Sequence, residues 1–230
     1  MFIDDNGNEL EYVLLSAYEG SIEIEDNVSY KDIEYGDDFL IKGKLSSVSG
    51  AQPISGEKNI LNVTTAEALA NNRGAGWHIL NSKALSAEQI LEMIEFGALN
   101  LQNTFSNGIC DNQLKNAYQN CSASTGATKL LGNTTGVASQ TYYAHPSNIY
   151  QFGEKLNSIS YRGYENPWGN IWQLIGDVLI DDISKVEHIV YLCNDYNYST
   201  TINDNYSRVG RILAPSAGWI SCFSYSAEHN

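Results

Sequence analysis

Apolar and polar residues change places quickly along this chain, and only one segment keeps a helical period for several turns. Ile90, Met93, Ile94, Gly97 and Leu101 recur at spacings of three and four, which puts them on one helix face. Ser86-Ala87-Glu88-Gln89 ahead of them reads as a capping box, a hydroxyl and a side-chain carbonyl each satisfying a free backbone N–H. Glu88, Glu92 and Glu95 fall off the apolar stripe, and Glu88 suits the positive end of the helix dipole. Thr64-Thr65-Ala66-Glu67 predicts a second, shorter helix through Ala70, stopping near Asn72 ahead of Gly74 and Gly76.

Elsewhere the pattern is that of short strands. Asn6-Gly7, between Phe2-Ile3 and Leu10 to Leu15, signals a hairpin. Its carboxylates lack the full spacing of a calcium loop. Tyr12 to Tyr18 reads as a buried strand, and Ile22 and Ile24, alternating with Glu23 and Glu25, as a half-exposed one. Further strands are predicted at Phe39-Leu40-Ile41, Trp77 to Leu80, Val178-Leu179-Ile180, His188 to Cys193, Ile212-Leu213 and Trp219 to Phe223. The acidic stretch 26–38 reads as a surface loop, and 45–59, with its Ser, Gly and Pro53, as the most linker-like segment. Residues 103–158 hold no period and much Gly, Ser, Thr and Asn; such stretches are usually functional loops or disordered. There is no internal repeat.

One stretch breaks the pattern. Ser160 to Trp172 packs Tyr161, Tyr164, Trp168 and Trp172 together with Gly163, Gly169 and Pro167. Large rings dominate core energetics, and Gly and Pro fix sharp changes of direction. The expectation is a buried, irregular knot in which Trp168 and Trp172 are interior anchors.

Composition narrows the function classes. Thirteen basic residues against 27 acidic ones give a net charge of −14, with no Lys/Arg run. That excludes a phosphate-backbone reader, which needs clustered cations, and an anionic membrane surface. No apolar run reaches bilayer length, and Met1 to Asp5 has no signal-peptide character. Cys110, Cys121, Cys193 and Cys222 form no C-x-x-C pair and read as reduced thiols rather than a disulfide frame or zinc site.

Gly169-Asn170-Ile171-Trp172 resembles the Gly-Asn-Val-Trp-Glu-Trp signature of the formylglycine-generating-enzyme branch of the C-type-lectin fold, with Gln173 and Leu174 departing from it. The longer string from Tyr161-Arg162-Gly163 to Trp172 resembles virion proteins of tailed phages of Gram-positive hosts. Further matching pieces are Asn72 to Trp77, Ile94 to Gly97, Asn100 to Gln102, Ala17 to Ser21, and Leu45 to Gly50 through Pro53. Their order and spacing carry the likeness from about Leu10 to about Gly218. The resemblance implies an α+β fold of the C-type-lectin-like, formylglycine-generating-enzyme variety: two helices on small antiparallel sheets with long irregular loops. It implies a single domain over 1–230, with 1–55 as a strand-rich N-terminal portion and a possible truncation at the C-terminus. It also implies Trp77, Trp168, Asn170 and Trp172 as structural anchors. The enzyme branch uses a cysteine pair near the end of the fold; Cys222 has no close partner, so no residue inherits that activity.

Candidate chemistry is sparse. His78, His145, His188 and His229 are too scattered for a local metal motif. There is no G-x-S-x-G elbow, and no cysteine has a local histidine. Gly74-Ala75-Gly76 leads into an aromatic segment, not a phosphate-binding helix start. Glu165 is the acid to check for glycosidase work; its competing reading is a buried carboxylate bonded to backbone N–H groups around Asn166 and Gly169.

The positive signal is compositional. Residues 194–207 are nearly all Tyr, Asn, Asp, Ser and Thr, and 141–150 share the vocabulary. Tyr gives contact area at low entropy cost, and Asn and Ser give adaptable hydrogen bonds. A solvated turn in an Asn- and Tyr-rich chain would look the same. The expected ligand-binding residues are Tyr142, Tyr143, Tyr150, Asn194, Tyr196, Tyr198, Asn205 and Tyr206. The expected function is a non-catalytic phage tail or fibre protein displaying a receptor- or carbohydrate-binding surface. It would have no cofactor and no metal. Its partners would be a host-cell receptor or glycan and other virion proteins, as a homo-oligomer taken as a trimer, without nucleic acid or membrane insertion. Its place would be the virion tail, after synthesis in the host cytoplasm without a signal peptide. The competing classes are a purely structural tail component and a lectin-fold enzyme.

Overall fold

The computed structural model describes residues 2, 8–24, 27–28, 43–51, 53–54, 61–109, 123–139, 142–145, 148–151, 157–182, 184, 186–213 and 222–225, the backbone alone at 27–28, 142–145, 148–151 and 222–225. The expected turn at Asn6-Gly7, the strand at Phe39 to Ile41, Cys110, Cys121 and His229 lie outside these residues.

The fold is mixed α+β with small antiparallel sheets. In chain order come β1 (Ser21–Ile24), β2 (Asn27–Val28), β3 (Lys44–Ser46), α1 (Val63–Asn71), α2 (Ser82–Phe96) and the short α3 (Leu101–Thr104). A 3₁₀ turn (Lys129–Leu131) leads to β4 (Gly136–Val137), β5 (Tyr142–His145), β6 (Asn148–Gln151), β7 (Ile159–Tyr161) and β8 (Tyr164–Glu165). The last four strands are β9 (Val178–Asp182), β10 (Glu187–Cys193), β11 (Tyr206–Leu213) and β12 (Cys222–Tyr225). They form sheets ordered β2-β1-β3, β12-β11-β10-β9, β4-β7-β8 and β5-β6. The predicted strands at 22–24, 178–180 and 188–193 are present, and Ile212-Leu213 closes the longer β11. Trp77 to Leu80 forms no strand. Within the stretch expected as a loop at 141–150, the described residues form the antiparallel pair β5–β6, with Tyr143 opposite Tyr150.

Both helices start earlier than their sequence signals. Asn62 caps α1, its Oδ1 accepting from the Thr65 backbone N–H at 3.0 Å, while Thr65 Oγ1 accepts from Asn62 N–H at 2.9 Å. The box is one Asn-to-Thr pair, because an Asn side chain reaches the third N–H as well as a hydroxyl does. This frees Glu67 for the interior, where it is 6% exposed. Asn81 caps α2 in the same way, bonding Ala84 N–H at 2.9 Å, so Ser86 sits inside the helix.

The second consequence concerns which face of α2 packs inward. Ala84, Glu88 and Glu92 are buried, whereas Ile90, Leu91 and Ile94 are 47%, 55% and 74% exposed. The predicted orientation is reversed. Asp177, far along the chain, fixes the start of the helix by accepting from Ser82 N–H at 2.7 Å and Ser82 Oγ at 2.6 Å. At the other end Phe96 meets Phe105 edge-on at 4.5 Å, and Glu95 binds Tyr161 Oη and Arg162. These tertiary ties override the periodic signal of the helix itself.

Tyr12 to Tyr18 is not a strand, and it is not buried. Residues 8–17 are all exposed, with Tyr12 at 71% and Leu14 at 84%. An apolar run fixes burial only when something packs on it. The linker-like segment is drawn inside: Ala51 is fully buried, and Thr125 bonds to it and to Gly50 through the backbone.

The knot is held by amides and acids rather than by both indoles. Trp172 is 99% exposed, which corrects the expected interior anchor. Trp168 is half-buried and donates from Nε1 to Ser106 O at 3.1 Å. Trp77, also expected as scaffold, is 51% exposed. The number of rings in a segment carries no information about which of them point outward. Arg162, Asn166 and Asn170 turn the chain with φ of 49°, 56° and 64°, a region that Asn tolerates better than most residues. Asn170 accepts from Ala123 N–H through Oδ1 at 2.6 Å and donates through Nδ2 to Ala123 O and Glu19 Oε2. Asn166 donates to the same Glu19 oxygen at 3.1 Å. Gly169 is required here: at φ 87°, a Cβ would stand 2.7 Å from Ile109 N.

Candidate functional site

A site can be built outward from Glu67. It lies on the buried face of α1, and its carboxylate accepts from Ile79 N–H at 3.0 Å through Oε2. Its Oε1 is 2.6 Å from His78 Nδ1. A carboxylate on one ring nitrogen fixes the orientation of the imidazole. Tyr196, from the loop after β10, stacks on His78 with centroids 4.0 Å apart and planes 20° apart. Trp77, the next residue back, carries the Arg73 guanidinium 5.1 Å from its ring centroid. Arg73 is itself bonded to Glu23 at 3.3 Å and to Leu45 O at 3.1 Å. A tight turn through Gly74 and Gly76, with φ of 137° and 81°, swings Trp77 out from the end of α1.

Beneath these rings the chain is closely packed. Tyr198 is 6% exposed, lies 6.2 Å from Tyr196, and belongs to the core cluster of Ala66, Ala70, Ile79, Cys193 and Tyr206. Burial raises its phenol pKa, with the nearby Asp177 and Glu67 charges adding to the shift. Tyr206 is 7% exposed; its Oη accepts from Ser199 N–H at 2.9 Å and donates to Ser199 O at 3.2 Å. Burial likewise raises the Cys193 thiol.

The eight expected binding residues therefore separate into groups. Tyr198 and Tyr206 are interior, because Tyr206 opens the central strand β11 and Tyr198 fills the space over Gly176; their rings are not displayed. Tyr196 is half-exposed, and Asn194 and Asn205 stand near it at the rim, joined by the bond from Asn194 N–H to Asn205 O at 2.8 Å. Asp195, Asn197, Thr200, Thr201, Asn203 and Asp204 complete an exposed polar border, interrupted by Ile202. Tyr142, Tyr143 and Tyr150 lie on the β5–β6 pair, and their side chains are outside the described residues. The pair Glu67–His78 is invisible to sequence reasoning. Local spacing assigns Glu67 to a cap, and an acid eleven residues before a histidine is no recognisable motif.

The acids take other roles. Glu165 is 1% exposed, and its oxygens accept from Gly126 N–H, Thr128 N–H and Thr128 Oγ1 at 2.7, 2.7 and 2.6 Å. It is a bonded structural carboxylate, though its donors lie at 126–128 rather than around Asn166 and Gly169. Burial pushes Glu19 up to about 7, against the lowering effect of the Asn170 and Asn166 amides. Glu88 is pushed to about 8, by burial and then by the Glu92 charge, and Glu92 to about 7 by burial. Among the described residues neither Glu88 oxygen has a hydrogen-bond partner. Among the described residues no group of three His, Cys, Asp or Glu side chains is placed to hold a metal ion, and no helix is long and apolar enough to cross a membrane.

Set against known protein families, curated proteins and solved structures, the chain shows no match.

Proposed function

We propose that this chain is a non-catalytic, carbohydrate- or receptor-binding protein of a tailed-phage virion, built on a C-type-lectin-like fold. The virion class and the fold variety rest on the resemblance of the 161–172 and 72–77 segments. The binding surface rests on a single observation: Trp77 and Tyr196 leave ring area open to solvent beside a histidine oriented by a buried carboxylate, Trp77 as its neighbour in the chain and Tyr196 stacked on it. Flat, rigid rings beside Asn, Asp and Thr side chains suit pyranose faces and their hydroxyls. The surface assigned here is Trp77, His78, Tyr196 and the 194–205 rim, in place of Tyr198 and Tyr206.

The test is binding of the purified chain to host cells and to a glycan array. Trp77→Ala and Tyr196→Ala should each abolish binding while leaving the melting temperature close to that of the parent. Unchanged binding in both variants would overturn the proposal. A purely structural role in the tail is the second reading, favoured by the exposed apolar run at 10–15.

A further inference from the structure

We infer that the ligand of the Trp77–Tyr196 surface carries a positive charge, and that its class is amino sugars with free amines. The inference rests on the binding surface proposed above and adds the charge its ligand brings. Trp77 already holds one cation: the Arg73 guanidinium lies 5.1 Å from its ring centroid. The quadrupole of an indole attracts positive charge to both of its faces. Arg73 stands over one face, and half of Trp77 is still in solvent. The ring that holds a cation from its own chain can therefore hold a second one from a ligand. Tyr196, stacked on His78 at 4.0 Å, keeps part of its surface in water beside it.

The charges around the rings give the sign. Arg73 is matched by Glu23 at 3.3 Å, and His78 by Glu67 at 2.6 Å. Two carboxylates are then left over. Asp195 precedes Tyr196 in the chain. Asp204 precedes Asn205, whose carbonyl takes Asn194 N–H at 2.8 Å, so both acids stand at one rim. Both are exposed, and among the described residues neither is in an ion pair. Residues 194–207 contain no Lys or Arg to answer them. Asp195 is also held in place, its Oδ1 accepting from Asn197 N–H at 2.8 Å. An anionic ligand would meet these carboxylates and a chain of net charge −14, whereas the same field steers a cation inward. An ammonium group on a sugar answers both features at once. It donates charge-assisted hydrogen bonds to a carboxylate, and it is drawn to an indole face.

The experiment prints glucosamine and galactosamine oligomers on one array, each with free amines and in N-acetylated form, beside neutral hexose and uronic acid oligomers. Binding of the full chain is measured at mildly acidic pH, where the amines are charged. The free-amine forms should bind about tenfold or more better than their N-acetylated partners, and added salt should shrink that difference. The double variant Asp195→Asn, Asp204→Asn should bring the two signals together; Asn at 195 keeps the oxygen that holds Asn197. Trp77→Ala should lose both signals. A parent that prefers N-acetylated, neutral or uronic oligomers, or an amine preference that survives in the double variant, would overturn the inference and leave the ligand surface standing. Silence on every oligomer would overturn it as well. Host-cell binding that still falls in Trp77→Ala would then keep the surface with another class of ligand, and host-cell binding unmoved by Trp77→Ala and Tyr196→Ala would remove the surface itself.

Discussion

Thr128 gives both its backbone N–H and its hydroxyl to one oxygen of Glu165, at 2.7 and 2.6 Å, across 37 residues of sequence. The other oxygen takes Gly126 N–H. This carboxylate joins the turn before the Lys129–Leu131 3₁₀ segment to the β7–β8 hairpin. Glu165→Ala would leave these buried donors without acceptors, at a cost of ~3 kcal/mol. In a chain of this length that corresponds to a fall in melting temperature of roughly 6–12 °C, measurable by calorimetry. A change within about 1 °C would show that the donors find other partners.

Asn170 is both a left-handed turn residue and a double-sided tie to Ala123. Asn170→Asp keeps the shape but removes the Nδ2 donors and sets a carboxylate beside Glu19. Destabilisation should be about 2 kcal/mol at pH 8 and smaller at pH 5, where Glu19 is protonated. Urea midpoints at the two pH values test the sign.

Gly176 lets Tyr198 close over the backbone. A Cβ there would stand 2.6 Å from Tyr198 Cδ2 and 2.8 Å from Ile79 Cγ1. Gly176→Ala should cost about 1–3 kcal/mol by overpacking. It should also disturb Tyr196, which lies against Tyr198, so ligand binding should weaken in the same variant.

Trp172, fully in water, should be dispensable for folding. Trp172→Ser is expected to change stability by less than about 0.5 kcal/mol. A loss of several kcal/mol on thermal or urea unfolding would restore it as an anchor.

Stability should fall as the solution becomes more alkaline. Glu88, Glu92 and Glu19 have folded pKa values of about 8, 7 and 7, raised from 4.5. The folded state then binds more protons than the unfolded one between about pH 4.5 and 8. The stabilising contribution is complete below about pH 4.5 and is lost as pH rises through the folded values. The loss should be on the order of a few kcal/mol. Glu88→Gln should flatten the profile and be more stable than the parent at pH 8.5.

The sequence made local structure legible and orientation much less so. β1, β9 and β10 follow from Ile22/Ile24, Val178 to Ile180 and His188 to Cys193, where alternation or an apolar run meets β-branched residues. Both helices could be read, but their caps are Asn62 and Asn81 rather than the hydroxyl residues downstream, since several cap sequences overlap there. The inward face of α2 was not legible, because Asp177 and Tyr161 fix it from distant positions. The same holds for the candidate site: the polar, tyrosine-rich vocabulary of 194–207 marks the segment, but only packing separates Tyr196 at the surface from Tyr198 and Tyr206 below it.

The Glu19 carboxylate finds its amide partners 147 and 151 positions later. A ribosome adding roughly 5–20 residues per second needs on the order of 7–30 s to bridge that gap. During this interval the Glu19 carboxylate stays in water, so this part of the fold closes only after residues 166–170 have left the ribosome. Chain ends lost before the 166–170 amides emerge would therefore leave nascent fragments that chaperones hold and proteases clear.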